Sequence, residues 1–292
     1  MQFTIENLSE KYTVKRLGKN DISIVYNLCS KNTLYYDYCP PFVTPESIEE
    51  DMAALPPGKT VEDKFYVGYF DADKLIAVMD LILGFPEAET AYVGFFMTDV
   101  SVQGKDIGSS IISELAKFVC GNGFSNIQLC WVEGNPQAEH FWHKNGFCET
   151  GKTYDMDDYT VVEAQRKVKH IMQLTPLPFN MIKDGTKTIE LRLYDEKRRM
   201  IHEGDIIEFV NTEGKHEWID VRVKNLYIYD SFSKLYSNLP LLECGYTADN
   251  IVTASPDDMN EYYSIEEQEK YGVVGIEIDV VQMIWEENDG RV

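Results

Sequence analysis

The sequence predicts two domains: an α/β (α+β) fold over residues 1–168, then a small β-barrel with helical additions over residues 169–292. Three observations predict it. The chain has 292 residues, near twice a common domain length of about 150. Its first part alternates strand-like runs with helical spacing and joins one strand to one helix through a glycine-containing turn. Its second part is a series of short β-rich runs separated by turn glycines.

In chain order, YTVKRLG (12–18) reads as a strand, and Asp21 as the cap of a helix running to about Ser30. TPESIEEDMAAL (44–55) has a Thr cap, Pro at the first helical position and acids in the first turn. KFYVGYF (64–70) and KLIAVMDLIL (74–83) flank Asp71-Ala72-Asp73 as a hairpin, and AYVGFFMTDV (91–100) is a long strand. From Ser109, Ile111, Ile112, Leu115, Phe118 and Val119 recur at helical spacing up to Gly121. NIQLCWV (126–132) is a strand, PQAEHFWHKNG (136–146) a helix, and YTVVEAQRKV (159–168) a closing strand.

After residue 168 the pattern changes, with two prolines and a turn at Asp184-Gly185. TKTIELRLY (186–194), DIIEFVN (205–211), EWIDVRVKNLYIY (217–229) and VVGIEIDVV (273–281) are strands, with helical segments near 231–238 and 256–270. Gly185, Gly204, Gly214 and Gly272 mark turns.

Lys plus Arg number 27 and Asp plus Glu 49, a net charge of −22 divided equally between the two parts. That charge argues against broad binding to nucleic acid or an anionic membrane, though a local basic pocket is compatible with it. No stretch reaches the roughly 18 apolar residues of a membrane span. The N-terminus has no apolar signal core, and six scattered cysteines without a CxxC pair read as reduced thiols. A soluble cytoplasmic protein is the expectation.

The segment FFMTDVSVQGKDIGSSIISEL (95–115) carries the clearest chemistry. A strand enters a glycine-containing turn that opens a helix, whose free N–H groups and dipole favour a phosphate. Lys105 adds charge at the rim. A plain strand-to-helix turn has the same local pattern. Gln103, Gly104, Lys105, Asp106, Ile107 and Gly108 stand in the arrangement Gln-x-x-Gly-x-Gly/Ala, with Asp106 in place of its first glycine, and NPQAEHFWHKNGF (135–147) follows in order. Over residues 10–168 these motifs resemble the Gcn5-related N-acetyltransferase (GNAT) superfamily.

The resemblance implies a splayed mixed sheet with flanking helices that holds acetyl-CoA as cosubstrate in its gap. Phe96, Met97 and Thr98 would run beside the pantetheine arm. The N–H groups of residues 103–109, Gln103 through Ser109, would hold the pyrophosphate, and Asn135 would contact the arm. Direct transfer to an amine is implied, with backbone N–H groups polarising the thioester carbonyl. Trp142 stands where many relatives have an acidic Tyr, and Tyr92 where some have a carboxylate base. Asp99 and His143 are then the polar candidates for catalysis; equally, Asp99 fits a turn cap and His143 a helix surface. His140, His143 and Cys148 lack a fourth metal ligand, so no metal is expected. The run TLYYDYCPPF (33–42) either lines an acceptor pocket or packs.

GTKTIELR (185–192) reads Gly-x-Lys-x-x-Glu-x-Arg, with Glu190 and Arg192 on one strand face and Lys187 on the opposite parity unless the turn rotates the strand start. A surface ion pair fits the spacing too. With EGDIIEF (203–209) and EYYSIEEQEKYGVVGIEI (261–278), the set resembles the ASCH domain, a PUA-like small β-barrel, over residues 169–281. That resemblance implies RNA or nucleotide binding through Lys187, Glu190 and Arg192. Some small members hydrolyse acetylated cytidine with a Thr where this chain has Glu190, so that nucleophile is absent. Residues 183–199 hold six basic and four acidic side chains, a balance suited to a small anionic or nucleotide ligand.

The expectation is an acetyl-CoA-dependent N-acetyltransferase of a small amine or nucleoside-like acceptor, with a ligand- or RNA-binding ASCH domain. The alternatives are a non-catalytic RNA- or nucleotide-binding adaptor and a hydrolase of modified nucleosides. Nothing in the sequence selects an oligomeric state.

Overall fold

The computed structural model describes residues 4–213 and 217–285. The chain divides into two compact units, Met1–Val168 and Lys169–Val292.

The first unit opens with β1 (Thr13–Arg16), α1 (Ile22–Cys29), α2 (Thr33–Tyr38) and α3 (Pro45–Ala53). α3 begins as the sequence predicts. Thr44 Oγ1 accepts from the Ser47 N–H at 3.1 Å, and Pro45 stands where a missing N–H is not needed. Asp21 differs from expectation: its carboxylate accepts from the Gly18 N–H at 2.9 Å, which closes the turn ahead of α1 and leaves the helix without a side-chain cap. β2 (Lys64–Asp71) and β3 (Lys74–Leu83) form the hairpin, with Ala72 at φ 52°. β4 (Thr90–Thr98), α4 (Ile107–Gly121), β5 (Asn126–Val132), α5 (Pro136–Lys144), β6 (Cys148–Asp155) and β7 (Thr160–Lys167) follow.

The seven strands form one mixed sheet in the order β1-β2-β3-β4-β5-β7-β6, with β4 and β5 parallel. α1 and α3 cover Tyr66, Phe70, Val78 and Met97 with Val25, Leu28 and Ile48. β6 is unmarked in the sequence because CETGKTYD is exposed throughout, so no apolar residue alternates along it.

Two features of β4 shape the unit. Its pairing with β5 ends at Val93 opposite Leu129, and the strands separate beyond. On the other side Leu81 opposes Val93 while Asp80 opposes Phe95, so Gly94 is an extra, bulged residue. A Cβ there would lie 3.0 Å from Asp80 Oδ2, which explains the glycine. Asp80 is itself held by a buried 2.8 Å pair with Lys64 Nζ.

The second unit contains β8 (Lys169–Leu174), α6 (Pro176–Lys183), β9 (Ile189–Leu193), β10 (Ile206–Asn211), β11 (Glu217–Tyr229), α7 (Phe232–Asn238), α8 (Ile265–Tyr271) and β12 (Val273–Trp285). The sequence marks only a change of pattern over residues 169–185, where the structure has β8 and α6. Pro176 and Pro178 sit in the first turn of α6, where the helix tolerates them. The five strands run β8-β10-β11-β12-β9, a curled half-barrel with β8 and β9 as its edges. Successive residues of β12 enter different cores. Val274 and Ile276 join Phe179, Ile207 and Phe209, whereas Val273 joins Leu191, Phe232 and Leu235. The turn expected at Gly214 lies outside the described residues. Among the described residues no helix is long and apolar enough to cross a membrane. None of the six cysteines is joined in a disulfide.

Candidate active site

Where β4 and β5 separate, a cavity of about 840 Å³ opens in the first unit. Residues 93–98 form one wall and Cys130, Trp131 and Val132 another, and the start of α4 and the inner face of α5 contribute the rest. The strands separate at Val93, so the cavity's apex lies beside the Gly94 bulge. The turn before α4 is about 16 Å further along β4, at 3.3 Å per residue.

Most motif residues meet in this cavity. Phe96, Met97, Thr98, Gln103, Gly104, Asp106, Ile107, Gly108, Ser109 and Asn135 all line it. α4 has no side-chain cap, and its first backbone bond runs from the Ser110 N–H to the Asp106 carbonyl. The N–H groups of Ile107, Gly108 and Ser109 therefore lack helical acceptors, which suits them to an anion. Gln103 is locked from a distance: its Nε2 donates to Asn32 Oδ1 at 2.7 Å, and Asn32 Nδ2 donates to the Thr98 carbonyl at 3.2 Å. Asn32 carries no local signal of this role. Lys105 is absent from the lining, and its Nζ donates to the Ser101 carbonyl at 2.9 Å.

Two glycines have separate reasons. Gly104 adopts φ 69° with open space around its missing Cβ, so the turn's conformation requires it. A Cβ on Gly108 would lie 3.0 Å from the Phe141 ring, so close packing of α4 on α5 requires this one. Asp106 adopts φ 57°, and its exposed carboxylate pairs with Lys144 Nζ at 2.5 Å. Asn135 acts as the cap of α5, its Oδ1 accepting from the Gln137 and Ala138 N–H groups at 3.1 Å.

The catalytic candidates Asp99 and His143 both lie outside the lining. Asp99 is buried, accepts from Ser101 N at 2.9 Å and from Ser101 Oγ, and lies 3.5 Å from both Lys31 and Lys74. Burial pushes its carboxyl up, but the Ser101 hydrogen bonds and the two ammonium groups outweigh that and hold it at about 2. Such a group is a structural turn cap and a poor base. His143 stands edge-on to Trp131 at 5.3 Å and 3.8 Å from Glu149, whereas His140, one turn earlier, reaches the cavity.

The polar side chains at the apex come from elsewhere. Tyr35 and Cys39 belong to the aromatic run, which thus contributes to the lining; Tyr36 instead packs against Phe42 with the rings tilted by 54°. Tyr92, Cys130, Tyr154, Tyr159 and Glu163 join them. Burial and the neighbouring Cys39 thiol raise the Tyr35 phenol, and burial and Cys130 raise Tyr92. The hydrogen bond to Cys39, with burial, pushes Tyr159 to about 12. These phenols keep their protons at neutral pH and are donors. Burial likewise raises the Cys130 thiol.

In the second unit, Lys187, Glu190 and Arg192 come together. β9 begins only at Ile189, so Lys187 lies in the preceding turn and is free of strand parity. Lys187 Nζ lies 3.3 Å from Glu190 Oε2 and donates to the Cys244 carbonyl at 2.5 Å. Arg192 Nε donates to Glu190 Oε1 at 2.8 Å and its Nη2 to the Gln173 carbonyl at 2.9 Å. Lys187 and Glu190 are buried, and Arg192 retains 17% side-chain exposure. The three form an ion-pair network bonded to itself and to the main chain.

The acetyltransferase (GNAT) family model matches residues 31–147, and the ASCH domain model matches residues 172–282. No curated protein matches the chain. Among solved structures, hypothetical protein PH0355 is 36% identical, covering 39% of this chain and 99% of its own, with a TM-score of 0.33. An acetyltransferase from Thermus thermophilus is 19% identical, covering 54% of this chain and 97% of its own, with a TM-score of 0.44. The PaiA N-acetyltransferase from Thermoplasma acidophilum, in complex with coenzyme A, is 19% identical, covering 53% and 98%, with a TM-score of 0.40. The chain therefore joins a GNAT-family N-acetyltransferase, which takes its acetyl group from acetyl-CoA, to an ASCH domain.

Proposed function

We propose that the first unit acetylates a primary amine on a small molecule, with the donor entering along β4 and the acceptor seated at the cavity's apex. The observation that carries this reading is the end of β4–β5 pairing at Val93 and Leu129. It opens a cavity with helix N–H donors towards one end and a bulge with phenols and a carboxylate at the other. Acetyl-CoA supplies an activated thioester. The N–H groups of Ile107, Gly108 and Ser109 take its pyrophosphate, and residues 96–98 run beside the arm. The neutral amine attacks the thioester carbonyl; the nitrogen–carbon bond forms, the carbon–sulfur bond breaks, and the proton that the nitrogen loses passes through solvent to the thiolate, which leaves as the coenzyme A thiol. Tyr35 and Tyr92, protonated at either side of the bulge, serve as hydrogen-bond donors that stabilise the departing thiolate. Thiol release from acetyl-CoA, measured across a panel of small amines and aminated nucleosides, tests the reading; release with none of them, at concentrations that saturate binding, overturns it.

Two further outcomes are expected. Asp106→Gly binds acetyl-CoA more tightly by about 1 kcal/mol, since a negative charge beside the phosphate seat is removed. It also frees Lys144 from its pair and relieves a left-handed non-glycine residue. Calorimetric titration checks this, and weaker binding would make Asp106 a structural turn residue. Cys39→Ala combined with Cys130→Ala retains turnover with sequential kinetics, because Cys130 is a raised, protonated thiol that accepts from Tyr92 Oη rather than pairing with a histidine base. Ping-pong kinetics in the native chain would refute direct transfer.

For the second unit, the proposed ligand is nucleotide-like or RNA. Arg192, the most open of the three charged residues, would meet it, with Lys187 and Glu190 behind.

A further inference from the structure

We propose that Glu163 receives a second, distal ammonium group of the acceptor, so that the substrate class is a short diamine. The inference rests on the acetyltransferase reading above and names the acceptor of that same site.

Glu163 is 4% exposed yet lines the cavity. It stands opposite Cys130 in the β5–β7 register, one residue beyond the last β4–β5 pair, which puts it beside the apex. A carboxylate in such a place needs bonds to remain charged. Thr150 Oγ1 donates to its Oε1 at 2.7 Å and Tyr154 Oη to its Oε2 at 2.7 Å. Burial pushes the carboxyl up, but these bonds and Lys152 hold it below its ordinary value, so it is anionic.

Two hydroxyls leave part of its four-acceptor capacity for another donor. Lys152 Nζ takes it at 3.3 Å, reaching in from strand β6 on a side chain that is 66% exposed. An ammonium tethered so loosely gains little from the pair and is readily displaced. It shows what this carboxylate accepts: a cation with several N–H donors.

The surroundings favour the same ligand. Tyr35, Tyr92, Tyr154 and Tyr159 line the cavity with Glu163, and aromatic faces attract cations. Asp155, Asp157 and Asp158, just ahead of Tyr159, are exposed, and the unit bears an excess of acidic residues. That field draws cations towards the site. β7 lies two strands from β4. A ligand whose reacting nitrogen is at the Gly94 bulge would thus reach Glu163 only across a spacer, which selects a diamine over ammonia or a monoamine.

The test uses the full chain saturated with coenzyme A. Diaminobutane and aminobutanol, alike in length but differing in the second charge, are titrated calorimetrically, and both are assayed with acetyl-CoA for thiol release. Diaminobutane is expected to bind at least about tenfold more tightly, as for a hydrogen bond to a buried charge. Glu163→Gln should erase that preference while leaving coenzyme A binding unchanged. Should Glu163→Gln fail to fold, Lys152→Ala decides: removing an exposed competitor should tighten diaminobutane several-fold and leave aminobutanol unmoved. Equal affinity for the two ligands, or a Lys152→Ala variant that changes neither, overturns the inference. Thiol release with the same KM for both would do so too, while sparing the acetyltransferase reading. Preferential diamine binding without thiol release from any amine would support the Glu163 site and sink that reading.

Discussion

Gly108→Glu is expected to weaken acetyl-CoA binding by at least about a hundredfold, close to 3 kcal/mol. Two effects act together. Any Cβ at this position meets the Phe141 ring at 3.0 Å, so α5 or the start of α4 must shift. A carboxylate beside the free N–H groups then occupies them or repels the phosphate they would take. Gly108→Ala isolates the first effect, because the methyl group carries the clash without the charge. Gly104→Ala isolates a third, since a Cβ has room there but φ 69° disfavours it. Calorimetric titration, with thermal melts to show that each variant folds, ranks the three. Undiminished binding in Gly108→Glu would move the pyrophosphate away from α4.

The second large effect belongs to the other unit. Glu190→Ala is expected to destabilise it by about 3–5 kcal/mol, as for the loss of one partner from a buried ion pair. The substitution leaves Lys187 with the Cys244 carbonyl and Arg192 with the Gln173 carbonyl, two cations with no carboxylate between them. Glu190→Gln keeps the shape and one acceptor and should cost less. A chain of two units need not unfold in one step, so hydrogen exchange along β9 and β12, which pair through Glu190 and Ile276, is the suitable measurement. A loss below about 1 kcal/mol would mean that the network behaves as a surface pair. The same argument governs tests of ligand binding here: a loss on Lys187→Ala has meaning only where the unit is shown to remain folded.

The sequence by itself determined what is local. Thr44-Pro45 starts α3, Asn135-Pro136 starts α5, and the spacing of Ile111, Ile112, Leu115 and Val119 defines the buried face of α4. The strand, glycine turn and helix of the proposed anion seat fall within the single span of residues 95–115, so their chemistry is legible without the fold. Even the ion pairs of Glu190 could be anticipated in part, because Arg192 is two residues away on a strand of period two.

Only the tertiary structure decided the charge state and use of each polar group. Asp99 lies beside the cavity's motif strand, yet Lys31, 68 residues away, and Lys74, 25 away, converge on it and make it a capped, ion-paired carboxylate. His140 and His143 share one helix, and its rotation against the sheet turns the first to the cavity and the second to Trp131. Glu163 sits in an ordinary β7 sequence; its place comes from pairing with β5, and its hydrogen bonds from β6, a strand with no apolar pattern to reveal it. Periodicity and turn chemistry act over a few neighbouring residues, so a sequence displays them. Burial and electrostatics are set by which distant strands pair and where that pairing stops, and at Val93 and Leu129 that stopping point created the cavity itself.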